Sequence, residues 1–337
     1  AGFVLALELL LLWRNLPHNH RPAEPDDLLT SFGPGTVLTL LRGLCIGLVA
    51  GFLFSSRPEG WIGWAPAVLY TVGGIADWFD GTVARLANHS TRLGETLDME
   101  YDALGVLIVP LLGVWHGQLP PWYLLVSALR YLYVLHLRIR GRRRLPVRDL
   151  PPDSLRRVLA GFQMGFIGVA LLPLFRPPVT WLAATVFMIP FVAGFIRDWL
   201  VAITVLDPSS VRYRVLGQWL HRVFRIGLPV GLRGVTTLAL AALAITALWR
   251  DTPILASGAI LVGVLLLPGV LSRVVSLAGL LGTGLYASHS GLDGLSAMII
   301  VGAIVILLFG PGRWALWAPE ERFVMWRGGE PFPRRAG

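Results

Sequence analysis

Lysine is absent from this sequence. All 29 basic residues are arginine, set against twelve Asp and eight Glu, so guanidinium groups alone carry the net charge of +9. The single cysteine, Cys45, lies in an apolar run, which excludes an internal disulfide and any cysteine-based zinc centre. The seven histidines are scattered without metal-ligand spacing, and His18 and His20 share a polar loop where solvation suffices for them. Charge of either sign is scarce. Only 15% of the 337 residues are charged against 55% hydrophobic, and a mean hydropathy of +0.65 is far from that of a water-soluble enzyme.

What fills the chain instead is a succession of apolar runs, each near the roughly 20 residues that cross a bilayer. About ten are expected. Six run over Pro34–Phe54, Trp61–Ala87, Gly94–Trp115, Pro120–Leu137, Arg156–Leu174 and Val179–Leu206. Four more run over Val230–Trp249, Ile254–Leu271, Val274–Ala287 and Leu292–Phe309. The pattern predicts an all-α polytopic membrane protein. The opening run Ala1–Trp13 is too short to span and reads as a truncated or interfacial helix. With no basic start and no small-residue cleavage site, it does not read as a signal peptide.

Orientation follows from the arginines, because short cytoplasmic loops retain positive charge. Residues 138–157 hold eight arginines around RIRGRRR, and the segment after the sixth span adds Arg212, Arg214, Arg222 and Arg225. The alternate loops carry only Arg57, Arg176 and Arg250. The Arg-rich loops are therefore expected in the cytoplasm, where they can also meet anionic headgroups. In a multi-span chain this basic charge points to topology rather than to nucleic acid. The expected organisation is an N-terminal helix and loop (1–33), a six-helix domain (34–206), a cytoplasmic linker (207–229), a four-helix membrane unit (230–318) and a cytoplasmic tail (319–337).

Ionisable groups inside spans cost roughly 2.5 to 3.5 kcal/mol each, and they usually face a cavity or a partner. Here they share one depth. Counting about 1.5 Å per helical residue from the cytoplasmic ends places Arg42, Asp77, Asp80, Asp98, Asp102, Arg130, Gln163, Arg197 and Asp198 within roughly 15 Å of that surface. Nine such residues from six spans predict a polar chamber open to the cytoplasm rather than nine private pairings.

The densest stretch runs from Asp77 to Asp102. Asp77 and Asp80 are three apart and Asp98 and Asp102 four apart, so each pair occupies one helical face. Asn88, Ser90 and Thr91 between them suit a reversal that brings the faces together. Gly81 and Ala84 on the acidic side leave room for a neighbouring backbone or a ligand. Four converging carboxylates would repel one another unless cations sat among them. All-oxygen ligation favours Mg²⁺ or Mn²⁺, and two ions about 3.5 to 4 Å apart would fit such a set. A structural calcium loop is the bland alternative, but the alternating oxygen ligands of an EF-hand are missing.

These residues resemble the signature of the CDP-alcohol phosphotransferase family, DxxDGxxAR followed after about eight residues by GxxxDxxxD. Asp77, Asp80, Gly81, Ala84, Arg85, Gly94, Asp98 and Asp102 match it at every fixed position. Thr36, Thr39 and Arg42 in the first span look like the TxxTxxR of phosphatidylglycerophosphate synthases, and Gln163 and Met164 are similar to those enzymes' fifth helix. The resemblance covers residues 34–206 and implies a six-helix membrane enzyme that transfers a phosphatidyl-type group from a CDP-linked lipid to a small alcohol and releases CMP. It implies that Asp77, Asp80 and Asp98 hold metal and that Asp102 serves the second ion and acts as the catalytic base. It implies further that Gly81, Ala84, Arg85 and Gly94 line the nucleotide pocket, with Thr39 and Arg42 as further contacts to the CDP-lipid.

Two positions depart from the pattern: Ala103 stands where phosphatidylglycerophosphate synthases carry Lys, and Gly35 where Pro precedes the first Thr. Both bear on the acceptor more than on the chemistry. Arg130, roughly 12 Å in from the cytoplasmic end of its span, is level with Asp102 and could grip a phosphorylated acceptor. The expected acceptor is glycerol 3-phosphate, with inositol phosphate as the alternative, and a cation-binding transporter is the rival from another class. The expected partners are the CDP-linked lipid, the alcohol, the lipids of the cell membrane and a second copy in a homodimer, with no nucleic acid. The last spans, ending in LLFGPGRWALW, resemble DoxX-like four-helix membrane units.

Overall fold

The computed structural model describes residues 1–24, 26–150 and 153–325; the expected tail lies outside the described residues from 326 onward. Among the described residues there is no strand, and the chain is an all-α polytopic membrane protein.

The chain separates into two compact units. The first comprises Ala1–Arg130 together with Met164–Pro173. Its helices are α1 (Gly2–Asn15), α2 (Pro34–Val49), α3 (Ala65–Leu86) and α4 (Arg92–Trp115), and it also holds the first turns of α5 (Leu125–Arg142) and the end of α6 (Ser154–Ala170). Pro34 opens α2, where its fixed φ is already helical and its missing N–H costs nothing. Small residues then let α2 and α3 close up. A Cβ on Gly35 would sit 2.5 Å from the Cβ of Ala84 and 2.8 Å from the Asp80 carbonyl. The reversal into α4 falls at residues 87–91. Asn88 adopts a left-handed φ of 48°, which Asn tolerates, and Thr91 caps α4 by accepting from the Gly94 N–H at 3.0 Å.

The second unit comprises Tyr131–Gln163 and the chain from Leu174 onward. It contains α7 (Val179–Ala202), α8 (Val211–His221), α9 (Leu228–Trp249), α10 (Pro253–Leu266), α11 (Ser272–Ser290), α12 (Gly294–Phe309) and α13 (Glu320–Met325). Leu240, Leu243, Leu266, Ile299 and Ile306 lie at the centre of its α9–α12 core. Two buried arginines finish the Gly-Pro turn after α12. Arg233 donates to the carbonyls of Pro311 (3.0 Å) and Leu267 (2.7 Å), while Arg273 pairs with Glu321 at 2.5 Å and donates to the Leu307 carbonyl. These arginines satisfy helix-end carbonyls that would otherwise be left without donors.

Residues 211–229 differ from expectation. The presumed linker is helical from Val211 onward, and α8 runs through a π-helical segment, Arg222–Gly227, into α9 without a break. Pro229, in the first turn of α9, cannot donate to an α-ladder and crowds the carbonyl four residues back. The wider π turn just before it is how a helix absorbs such a residue.

Three helices among the described residues are both long and apolar enough to cross a bilayer: Pro34–Phe52, Val179–Ala202 and Val211–Trp249. α3 and α4, of 22 and 24 residues, have the length but carry Asp77, Asp80, Glu95, Asp98, Glu100 and Asp102. α10 and α12 are apolar but stop at 14 and 16 residues.

Candidate active site

The acidic motif lies on α3 and α4, and α2 gathers it. Thr36, Thr39 and Arg42 recur at every third residue of α2, and all three are buried. Thr36 faces Gly94, where a Cβ would come within 3.2 Å of its hydroxyl oxygen. The hydroxyl of Thr39 lies 3.0 Å from Asp80 Oδ2, to which it donates. Arg42 reaches the remaining three carboxylates. Its Nη2 donates to Asp98 at both Oδ1 (2.6 Å) and the main-chain carbonyl (2.8 Å), and its Nη1 pairs with Asp77 and lies 3.5 Å from Asp102.

Oxygens of Asp77, Asp98 and Asp102 all lie within 4.8 Å of one another, on two antiparallel helices as the spacing requires. The Arg42 side chain is 4% exposed, whereas those of Asp77, Asp98 and Asp102 are 28%, 42% and 43% exposed. The carboxylates are thus open to an incoming ion or phosphate, and the guanidinium is closed off beneath them. Three carboxylates on one guanidinium leave two negative charges uncompensated on hard oxygen donors. That donor set fits a divalent cation. Asp80 stands beside the triad rather than in it, bound by Thr39.

The small residues of the motif act in two ways. Ala84 meets Gly35, so its size serves the contact between α2 and α3. Gly81 borders Arg85, whose Nη1 would lie 3.3 Å from an added Cβ; Arg85 itself folds back on Thr82 at the exposed end of α3. Arg130 on α5 donates to the Met99 carbonyl of α4 at 3.3 Å and lies within electrostatic reach of Asp102. Arg197 and Asp198 belong to the second unit, where Arg197 bridges Asp153 (2.9 Å) and Asp198 (2.7 Å). A salt-bridge pair accounts for that charge.

Two residues escaped the sequence reading. Tyr101, buried on α4 one residue before Asp102, lies so close to Gly43 that a Cβ there would be 2.6 Å from its ring. This contact fixes the face of α4 that carries Asp98 and Asp102. Glu8 of α1, the only acid in an apolar run, is 5% exposed against α2 at Gly47. Its isolation among leucines was legible; the Tyr101 contact was not, since nothing in a Tyr or a Gly alone signals the other.

The family model for CDP-alcohol phosphatidyltransferase matches residues 35–206, half of the chain and the whole of this site. The chain belongs to that family. As a CDP-alcohol phosphatidyltransferase it is an enzyme of phospholipid synthesis, moving a group from a CDP-linked lipid to an alcohol. A Mycobacterium tuberculosis protein named as a cardiolipin synthase is 31% identical over 150 residues, covering 43% of this chain and 69% of the relative. The CDP-diacylglycerol–glycerol-3-phosphate 3-phosphatidyltransferase of Escherichia coli K12 is 38% identical over 97 residues, covering 29% of this chain and 51% of the relative. No solved structure matches the chain.

Proposed function

We propose that the enzyme acts at the cytoplasmic face of the cell membrane and transfers a phosphatidyl group to a phosphorylated alcohol, with glycerol 3-phosphate as the preferred acceptor. The observation that carries this reading is the convergence of Asp77, Asp98 and Asp102 into one partly exposed cluster on α3 and α4. These three, with Asp80 alongside, would hold two divalent cations, Mg²⁺ or Mn²⁺. Bound there, the cations would neutralise the diphosphate of the CDP-lipid.

The chain's own groups do the rest. Arg85, at the exposed end of α3, offers a fork to the nucleotide phosphates, and Gly81 leaves room beside it, while Gly94 admits the Thr36 and Thr91 hydroxyls at the start of α4. Asp102 takes the proton of the acceptor hydroxyl as its oxygen bonds to the lipid-bearing phosphorus. The bond from that phosphorus to the CMP oxygen breaks, and CMP leaves. Arg130, held over α4 by the Met99 carbonyl, supplies the charge that a phosphorylated acceptor needs.

A second reading has support from the Mycobacterium relative's name: the acceptor hydroxyl would then be that of a glycerol-based phospholipid. Both acceptors present a phosphate near the hydroxyl, so Arg130 serves either.

The test is an acceptor panel with purified protein, CDP-diacylglycerol and Mg²⁺, followed by CMP release. Glycerol 3-phosphate should lead, and phosphatidylglycerol in its place would select the second reading. Arg130→Ala should raise the acceptor KM about tenfold or more, the effect of losing a charge-assisted contact, with the CDP-lipid KM little changed. Preference for free inositol or serine would overturn the assignment and point to Ala103.

A further inference from the structure

The carboxylates that would hold a cation already hold a cation of the chain's own. Arg42 contacts Asp77, Asp98 and Asp102 at once, and its two arms are not equivalent. Nη2 is anchored to the main-chain carbonyl of Asp98 as well as to its carboxylate, and an ion bound to the side chains leaves that carbonyl bond untouched. Nη1 reaches only the carboxylates of Asp77 and Asp102. The stem beneath runs along α3, in van der Waals contact with the position a Cβ on Gly73 would take, 3.6 Å from Arg42 Cγ. A guanidinium stays protonated at every usable pH, so its repulsion of a second cation cannot be relieved by losing a proton.

We propose that Arg42 is the built-in counter-cation of this carboxylate set, and that a divalent ion must displace its Nη1 arm from Asp77 and Asp102. The inference rests on the metal reading above. It gives Arg42 a task that precedes any contact with the CDP-lipid: the guanidinium holds the geometry of α2, α3 and α4 against carboxylate repulsion and sets how tightly metal binds. Nη2 keeps the residue tethered to α4 while Nη1 is exchanged.

Mn²⁺ binding to the purified full chain in detergent, followed by electron paramagnetic resonance without CDP-lipid, tests it. All variants are purified in Mg²⁺ and then exchanged, so that each starts folded. Arg42→Gln keeps a polar side chain but removes the competing charge, and should bind Mn²⁺ about tenfold more tightly than the native chain. Arg42→Lys keeps the charge and should bind within about threefold of native. Melting curves give a second readout: Mg²⁺ should raise the Tm of Arg42→Gln more than that of the native chain. Equal or weaker Mn²⁺ binding by Arg42→Gln, with the native chain binding normally, overturns the competition. A native chain that binds no Mn²⁺ overturns the metal reading itself.

Discussion

Asp98 and Asp102 are neighbours on one face of α4, yet they are expected to fail differently. Asp98→Asn loses a metal-facing oxygen and the 2.6 Å ion pair with Arg42, so it should abolish activity and weaken Mn²⁺ binding. Asp102 stands 3.5 Å from Arg42, at the edge of its reach. Asp102→Asn should therefore lower turnover by about 10² to 10⁴, as loss of a general base does, while CDP-lipid binding is largely kept. Turnover measured beside binding of the labelled donor separates the two; equal losses in binding would make Asp102 a ligand only. The carboxylates were legible in the sequence because their three- and four-residue spacings fix a helical face. What holds them was less so. A TxxTxxR row says that Thr39 and Arg42 lie near one face of α2, but a buried guanidinium reads from sequence as a phosphate contact as easily as a carboxylate clamp.

At the scale of the element, the site depends on how closely α2 can approach α3. Gly35 meets the Asp80 carbonyl and Ala84 Cβ, neither of which can swing aside. Gly35→Ala should therefore push the helices apart, costing about 1 to 3 kcal/mol as overpacking does, and should also lower activity by shifting Asp80 from Thr39. Gly74, on α3 with nothing within 4 Å, is the control. Gly74→Ala should leave activity intact and stability unchanged or higher by about 0.5 to 1 kcal/mol, read by thermal unfolding in detergent. The absence of the usual Pro at position 35 thus has a local cause: Pro34 starts the helix one residue earlier, and the close contact needs glycine. Helix positions themselves were readable from apolar runs, with most ends within a few residues. The exception was residues 211–227, where arginines suggested a loop. Arginine is a good helix former, so charge alone does not argue against helix there.

At the scale of the molecule, the family match ends at 206, and every residue proposed for catalysis lies before Arg142. A truncation ending near Leu228 should insert and keep CMP release. It would strip α11 and α12 from α7, baring Phe175 and Val179, which pack at Gly284. Those side chains are apolar, and lipid can replace an apolar neighbour at little cost. A folded, inserted but inactive truncation would show that the last helices help to form the site.

The unbroken helix from Val211 to Trp249 changes what that join can be. At about 1.5 Å per residue its 39 residues reach roughly 58 Å, nearly twice a hydrocarbon core of about 30 Å. It is a shaft and not a tether. A flexible linker tolerates added residues because only its reach matters, whereas each residue added to a shaft turns everything beyond it by about 100°. Between homologous chains, insertions here would be expected in near-whole turns, so that the arginines of α8 and the apolar face of α9 stay in phase.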